Sequence, residues 1–242
     1  MLVIFKHEIR HFFAHLTGYL IIGLFLLISG LFLWVLKGPY NILDNGFADL
    51  SGFYMLAPLV FLFLIPAITM RSFAEEKRTG TFELIMIKPI SSWHVVIGKF
   101  LGCACLLLLA LLPTLSYIWT LESLVVDKNS LDIGVLLSSY FGLFLVGLAY
   151  ITIGLFLSAV SQNQVIAFLI TLICCWLVYT GLDGVASLFS GNAYSLISSL
   201  GMRSHLETMA LGVISLGDIL YFASLIGLFL YLTTFFIKTH RP

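Results

Sequence analysis

Three sets of residues in this chain are of a kind that does chemistry. His7-Glu8-Ile9-Arg10-His11 matches H-E-x-x-H. On a helix the two histidines share a face and can both ligate zinc, leaving Glu8 as general base for peptide hydrolysis. A third ligand would have to come from Glu75, Glu76 or His94, and no spacing marks one of them out. The second set is the stretch from Arg71 to Lys99, RSFAEEKRTGTFELIMIKPISSWHVVIGK. It holds Arg71, Lys77, Arg78, Lys88 and Lys99 of 12 Lys/Arg, and Glu75, Glu76 and Glu83 of 12 Asp/Glu. In its middle Phe82, Leu84, Ile85, Met86 and Ile87 are apolar nearly all round, bounded by Gly80-Thr81 and Pro89. The third set is Lys99, Glu122 and Asp218, which fall at the ends of apolar runs. An ion-coupled carrier needs an ionisable group near the bilayer midplane, and these positions do not supply one.

The elements that must hold these residues are membrane helices. Mean hydropathy is +1.09, with 60% hydrophobic and 10% charged residues, outside the soluble range. Several apolar runs reach the roughly 20 residues a helix needs to cross the hydrocarbon core. The formal net charge of zero points to no nucleic-acid partner. Cys103, Cys105, Cys174 and Cys175 lie inside apolar runs and read as small hydrophobes. The apolar run after the basic start is too long for a cleavable signal and lacks a small-residue cleavage site.

Six spans follow from the pattern: roughly 17–36, 53–70 (with Pro58 and Pro66 inside), 94–121 (with Pro113), 133–160, 165–182 and 218–237. Residues 3–16 form an in-plane amphipathic helix. Phe5, Ile9, Phe12, Phe13 and Leu16 lie on its apolar face, and Lys6, His7, Arg10 and His11 on its headgroup face. Residues 183–217 are too apolar for a free loop and read as a hairpin of short external helices. With both termini inside, Lys6, Arg10, Arg71, Lys77, Arg78, Lys88, Lys99, Lys238 and Arg241 are cytoplasmic. Only Lys37, Lys128 and Arg203 fall outside, in keeping with the positive-inside rule. The fold class is thus an all-α polytopic membrane protein forming a single unit over residues 1–242. Gly98 and Gly102, and Ser138 and Gly142, are small residues at i and i+4 that let helices approach closely.

Within the charged loop, Gly80 can end one helix. Thr81 can N-cap the next, with Glu83 in its first turn, and Pro89 cannot continue it. An oily helix of this kind must lie in the interface or in a protein groove, with flanking charges to orient a partner.

Glu75-Glu76-Lys77-x-x-Gly80-Thr81-x-Glu83-Leu84, then Pro89 and Gly98-Lys99, resembles the coupling-helix loop of ABC-2 type transporter permeases. The turn from Ser158 to Gln164 and the external hairpin fit the same family. The opening KHEIRHFFAHLTGYLIIGLFLLISGLFLW and the stretch from His205 to Phe222 are similar to permeases associated with gliding motility and copper processing. Leu211 and Gly217 stand where that late motif usually has arginines.

The resemblance implies a bacterial inner-membrane permease subunit that is not itself an enzyme. It works with an ABC ATP-binding subunit, which carries the ATP and Mg, and with a second permease subunit, identical or not. Coupling is implied for Glu75, Glu76, Lys77, Gly80, Thr81, Glu83, Leu84, Ile85, Ile87 and Pro89. No catalytic, cofactor or metal residue is implied in this chain. No G-x-x-x-x-G-K-[ST] is present: before Gly98-Lys99, Trp93 stands where the first glycine belongs, and Phe100 follows the lysine. An ion-coupled carrier and a zinc metallopeptidase using His7-Glu8-x-x-His11 are the alternatives.

Overall fold

The computed structural model describes residues 1–14, 16–44, 49–82, 91–124 and 132–239. Among these residues the chain is helical wherever it is regular, with no strand. Six helices are long and apolar enough to cross a membrane: Leu16–Val35, Ser51–Arg78, Ser92–Ser123, Ile133–Val160, Gln164–Ala186 and Leu216–Thr239. They are called spans one to six. Their bounds lie within a few residues of those the sequence pattern predicts, except that span two extends through a break at residues 70–73 to Arg78.

Spans two, three and four are the core, with 72%, 61% and 67% of their central windows buried, against 28%, 22% and 17% for spans one, five and six. Their seams carry aromatic side chains. Phe53 of span two meets Phe25 of span one, Tyr117 of span three and Tyr140 of span four, at centroid distances of 5.7–6.4 Å. Lipid tails are as apolar as leucine, so close packing and interhelical hydrogen bonds must hold such a bundle. Tyr140 Oη accordingly donates to the Thr114 carbonyl at 2.8 Å.

Polar caps mark where spans begin. Asp132 accepts from the N–H groups of Gly134 and Val135 at the start of span four, and Asn163 accepts from Val165 at the start of span five. Pro58 and Pro66 sit within the Ser51–Thr69 helix, while Pro113 falls in a 3-10 turn, Leu112–Leu115.

Two further helices dock on the bundle at opposite ends of span two. The N-terminal helix, Leu2–Ala14, lies against span three. A second, Met202–Ala210, lies against the start of span four, after the short helix Asn192–Ser198.

Candidate functional site: a buried charged junction

The junction lies where the Leu2–Ala14 helix, the broken end of span two and the first turns of span three meet. Span two is regular to Thr69 and resumes as the five-residue helix Ala74–Arg78. The break strands backbone groups, and span four satisfies them with one hydroxyl. Ser158 Oγ accepts from the N–H groups of Phe73 and Ala74 at 3.1 and 3.2 Å and donates to the Met70 carbonyl at 3.2 Å. Lys77 Nζ donates to the Ala159 carbonyl and sits 5.5 Å from the Phe82 ring centroid and 5.0 Å from that of Phe236. The short helix is thereby fixed to the end of span four.

Lys99 is the centre of the junction. Two turns into span three and 2% exposed, it donates to Glu8 Oε1 at 2.8 Å, Glu76 Oε1 at 2.7 Å and the Ser72 carbonyl at 2.8 Å. An ammonium has three donors, and all three are used. The Phe73 ring lies 5.1 Å from the nitrogen. Two carboxylates thus share one cation in a nearly dry setting, where removing the cation is far costlier than the pair's net contribution. Glu76 Oε2 is buried and has no hydrogen-bond partner among the described residues.

Glycine makes the approach feasible. A Cβ on Gly98 would stand 2.8 Å from Ile4, and one on Gly102 would stand 2.7 Å from Glu8 Cβ. The first small-residue pair seen in the sequence is therefore the seat of the N-terminal helix within this chain. A cleft of about 770 Å³ adjoins the junction, lined by His7, His11, Arg71, Glu75, Thr81 and the triad itself.

The sequence-derived coupling residues divide between described and undescribed chain. Glu75 lines the cleft, Glu76 joins Lys99, and Lys77 reaches span four. Gly80 takes φ +70°, the left-handed conformation suited to the residue after a helix. Thr81 Oγ1 donates to the Glu76 carbonyl, bringing the chain back over the short helix. Phe82 packs edge-on against Phe73. Glu83, Leu84, Ile85, Ile87 and Pro89 lie outside the described residues, and so does the rest of the predicted oily helix.

Two readings need correction. Lys99 is inside span three and fully buried, not at a span end, because Glu8 and Glu76 neutralise it there. Glu8 is likewise buried against span three, while His7 and His11 stay on the exposed side with rings stacked at 6.5 Å. The carboxylate that H-E-x-x-H would use as a base is engaged in an ion pair. Among the described residues no three His, Cys, Asp or Glu side chains cluster as metal ligands do.

At the other end of the bundle, Ser138 Oγ donates to the Met209 carbonyl at 2.8 Å, and Gly142 faces Leu206 and Met209. The second small-residue pair seats the Met202–Ala210 helix. His205 bridges Asp218 of span six at 2.6 Å and the Ser199 carbonyl at 2.9 Å, with its ring stacked 4.1 Å from Tyr221. Asp218 also accepts from Thr208 Oγ1 and from both the N–H and Oγ of Ser215. With these donors in place, Asp218 needs no arginine at position 211 or 217. The sequence pointed to this region, since His205, Asp218 and Tyr221 all lie in the stretch from His205 to Phe222 that carries the resemblance. It carried no signal for the pairing of Glu8 with Lys99.

A six-span helical bundle with docked amphipathic elements and a charged junction at one end defines a multi-pass membrane protein. The family model for ABC-2 family transporter protein matches residues 2–238, and the chain belongs to that family. This makes it a membrane-embedded permease subunit of an ABC transporter. No curated protein matches the chain.

Proposed function

We propose that this chain couples ATP hydrolysis by a separate ATP-binding subunit, which supplies ATP and Mg, to movement of a substrate across the bacterial inner membrane. A second permease subunit completes the pathway. The chain acts as one transmembrane domain over residues 1–242, with both termini cytoplasmic, the orientation favoured by its basic residues. The coupling element is the loop within residues 71–99, with the partner contacting Glu75 to Pro89. Residues 3–16 anchor it at the bilayer surface, and residues 183–217 gate the outer end. A role of the gliding-motility type rests on the similarity of the opening and late stretches alone.

The observation that carries this reading is the triad of Glu8, Lys99 and Glu76. Through it the root of the loop is joined at once to the N-terminal helix and to span three, while Lys77 and Ser158 join it to span four. A displacement of the loop would therefore load the core of the bundle rather than dissipate locally.

The test is co-purification with the ATP-binding protein encoded nearest this gene, from wild type, Leu84→Asp/Ile87→Asp and His7→Ala/His11→Ala. The loop variant is expected to lose the partner and its stimulated ATPase, and the histidine variant to keep both. Retention of the ATPase by the loop variant would refute the assignment of the loop.

A further inference from the structure

The end of the bundle that carries the Met202–Ala210 helix contains a second cleft, of about 680 Å³, between spans two, four and five. Its size falls in the range of sites for drug-sized molecules. The walls are apolar, formed by Leu50, Met55, Leu59, Leu136 and Leu206, with three tyrosines, Tyr40, Tyr54 and Tyr179, among them. The charged lining is not balanced. Asp49, Asp132 and Glu207 stand against a single cation, Arg203, leaving a formal surplus of two negative charges among the described lining residues.

Those charges are held in place. Asp49 accepts from the N–H and hydroxyl of Ser51, Asp132 caps span four, and Glu207 pairs with Arg203 at 2.7 Å. Among the described residues none of the three carboxylates is paired with a lysine. An apolar cavity with aromatic faces and an acidic rim is complementary to a molecule with a greasy body and a positive head. The rim attracts the charge, and tyrosine faces stabilise a cation once it has shed water. The cleft beside the junction differs in this respect, since there Lys99 already consumes Glu8 and Glu76.

We infer that the cleft lined by Tyr54, Tyr179, Asp49, Asp132 and Glu207 binds lipophilic cations, and that amphiphiles of this charge are the substrate class. The second half of that statement rests on the permease reading; the first half does not.

The experiment uses the full chain alone in nanodiscs, with empty nanodiscs subtracted. Equilibrium dialysis compares tetraphenylphosphonium with tetraphenylborate, ions of nearly equal size and opposite charge. The cation is expected to bind at least about fivefold more tightly than the anion, the scale of two partly exposed charge contacts. Asp49→Asn/Glu207→Gln should lose most of that preference, and Met55→Trp should weaken binding of the cation by filling the cavity. Met55 and Glu207 are both largely exposed, so these changes disturb little packing. On the wild type alone, the cation's advantage should shrink severalfold as salt rises to about 0.5 M. Equal binding of the two ions, salt-independent preference, or undiminished cation binding by Met55→Trp would each overturn the inference. Because no ATP-binding subunit is present, such a failure leaves the co-purification test untouched.

Discussion

The two docked helices solve one problem with different chemistry. Each lies on a pair of small residues in a core span, Gly98 and Gly102 for Leu2–Ala14, Ser138 and Gly142 for Met202–Ala210. Each is also fastened by a buried acid. At the junction, one ammonium serves two carboxylates, so its geometry depends on a single side chain. At the opposite end, Asp218 accepts from His205, Thr208 and Ser215 together, so its satisfaction is spread over several donors. The first arrangement is brittle and the second redundant. Concentrating the attachment on Lys99 joins three elements through one atom, which is the arrangement the proposed coupling role requires. Spreading it lets the Met202–Ala210 helix keep its attachment when any one donor is lost.

The comparison is broken most directly at Lys99. Lys99→Ala strands two carboxylates in a dry site, a loss on the order of 3–5 kcal/mol. It should appear as the largest drop in thermal midpoint of any single change discussed here. Adding Glu8→Gln and Glu76→Gln to it removes the stranded charges and should recover a large part of the loss. If the triple variant is no more stable than Lys99→Ala, the triad is not the coupled unit described.

Much of this was legible in the sequence, and the exceptions have physical reasons. The six spans follow from the length of the apolar runs, because backbone in lipid must satisfy itself within a helix. Gly80 was legible as a helix end because few other residues take its positive φ. The junction was not legible. Glu8 shares its helix with Lys6, His7, Arg10 and His11, and periodicity gives no sign that one polar residue of five turns toward protein. Lys99 follows closely on the predicted start of span three, so its charge read as one at the end of an apolar run. Only the approach of Glu8 from the N-terminal helix and of Ser72 and Glu76 from the broken end of span two makes burial tolerable there. Ser158 is similar: a serine near a helix end has many uses, and its role depends on span two breaking opposite it.

The small-residue seats give a finer contrast. Gly102→Leu places side-chain atoms where Glu8 Cβ now lies, and Glu8 cannot withdraw without giving up Lys99. Gly142→Leu meets Leu206 and Met209, whose flexible side chains can give way. Overpacking costs typically about 1–3 kcal/mol, with Gly102→Leu expected toward the upper end and Gly142→Leu toward the lower. Cysteine accessibility measured at position 4 and at position 206 would report which helix lifts. Equal accessibility changes would mean that both seats are equally compliant, and the brittle–redundant distinction would not extend to packing.

A modest effect is expected at His205. His205→Leu removes one partner of Asp218 and the stack on Tyr221, but Ser215 N–H, Ser215 Oγ and Thr208 Oγ1 still address the carboxylate. One hydrogen bond to a charged group is worth roughly 1.5–3 kcal/mol, and the remaining donors should hold the loss to the low end of that range. Asp218→Leu is the sharper partner experiment. It leaves His205 Nδ1 and both the N–H and the hydroxyl of Ser215 without their carboxylate partner at once, so it should exceed His205→Leu clearly in the same thermal assay. The order matters more than the sizes. If His205→Leu proves as damaging as Lys99→Ala, then Asp218 depends on one partner just as Glu8 does, and the two ends of the bundle are fastened in the same way.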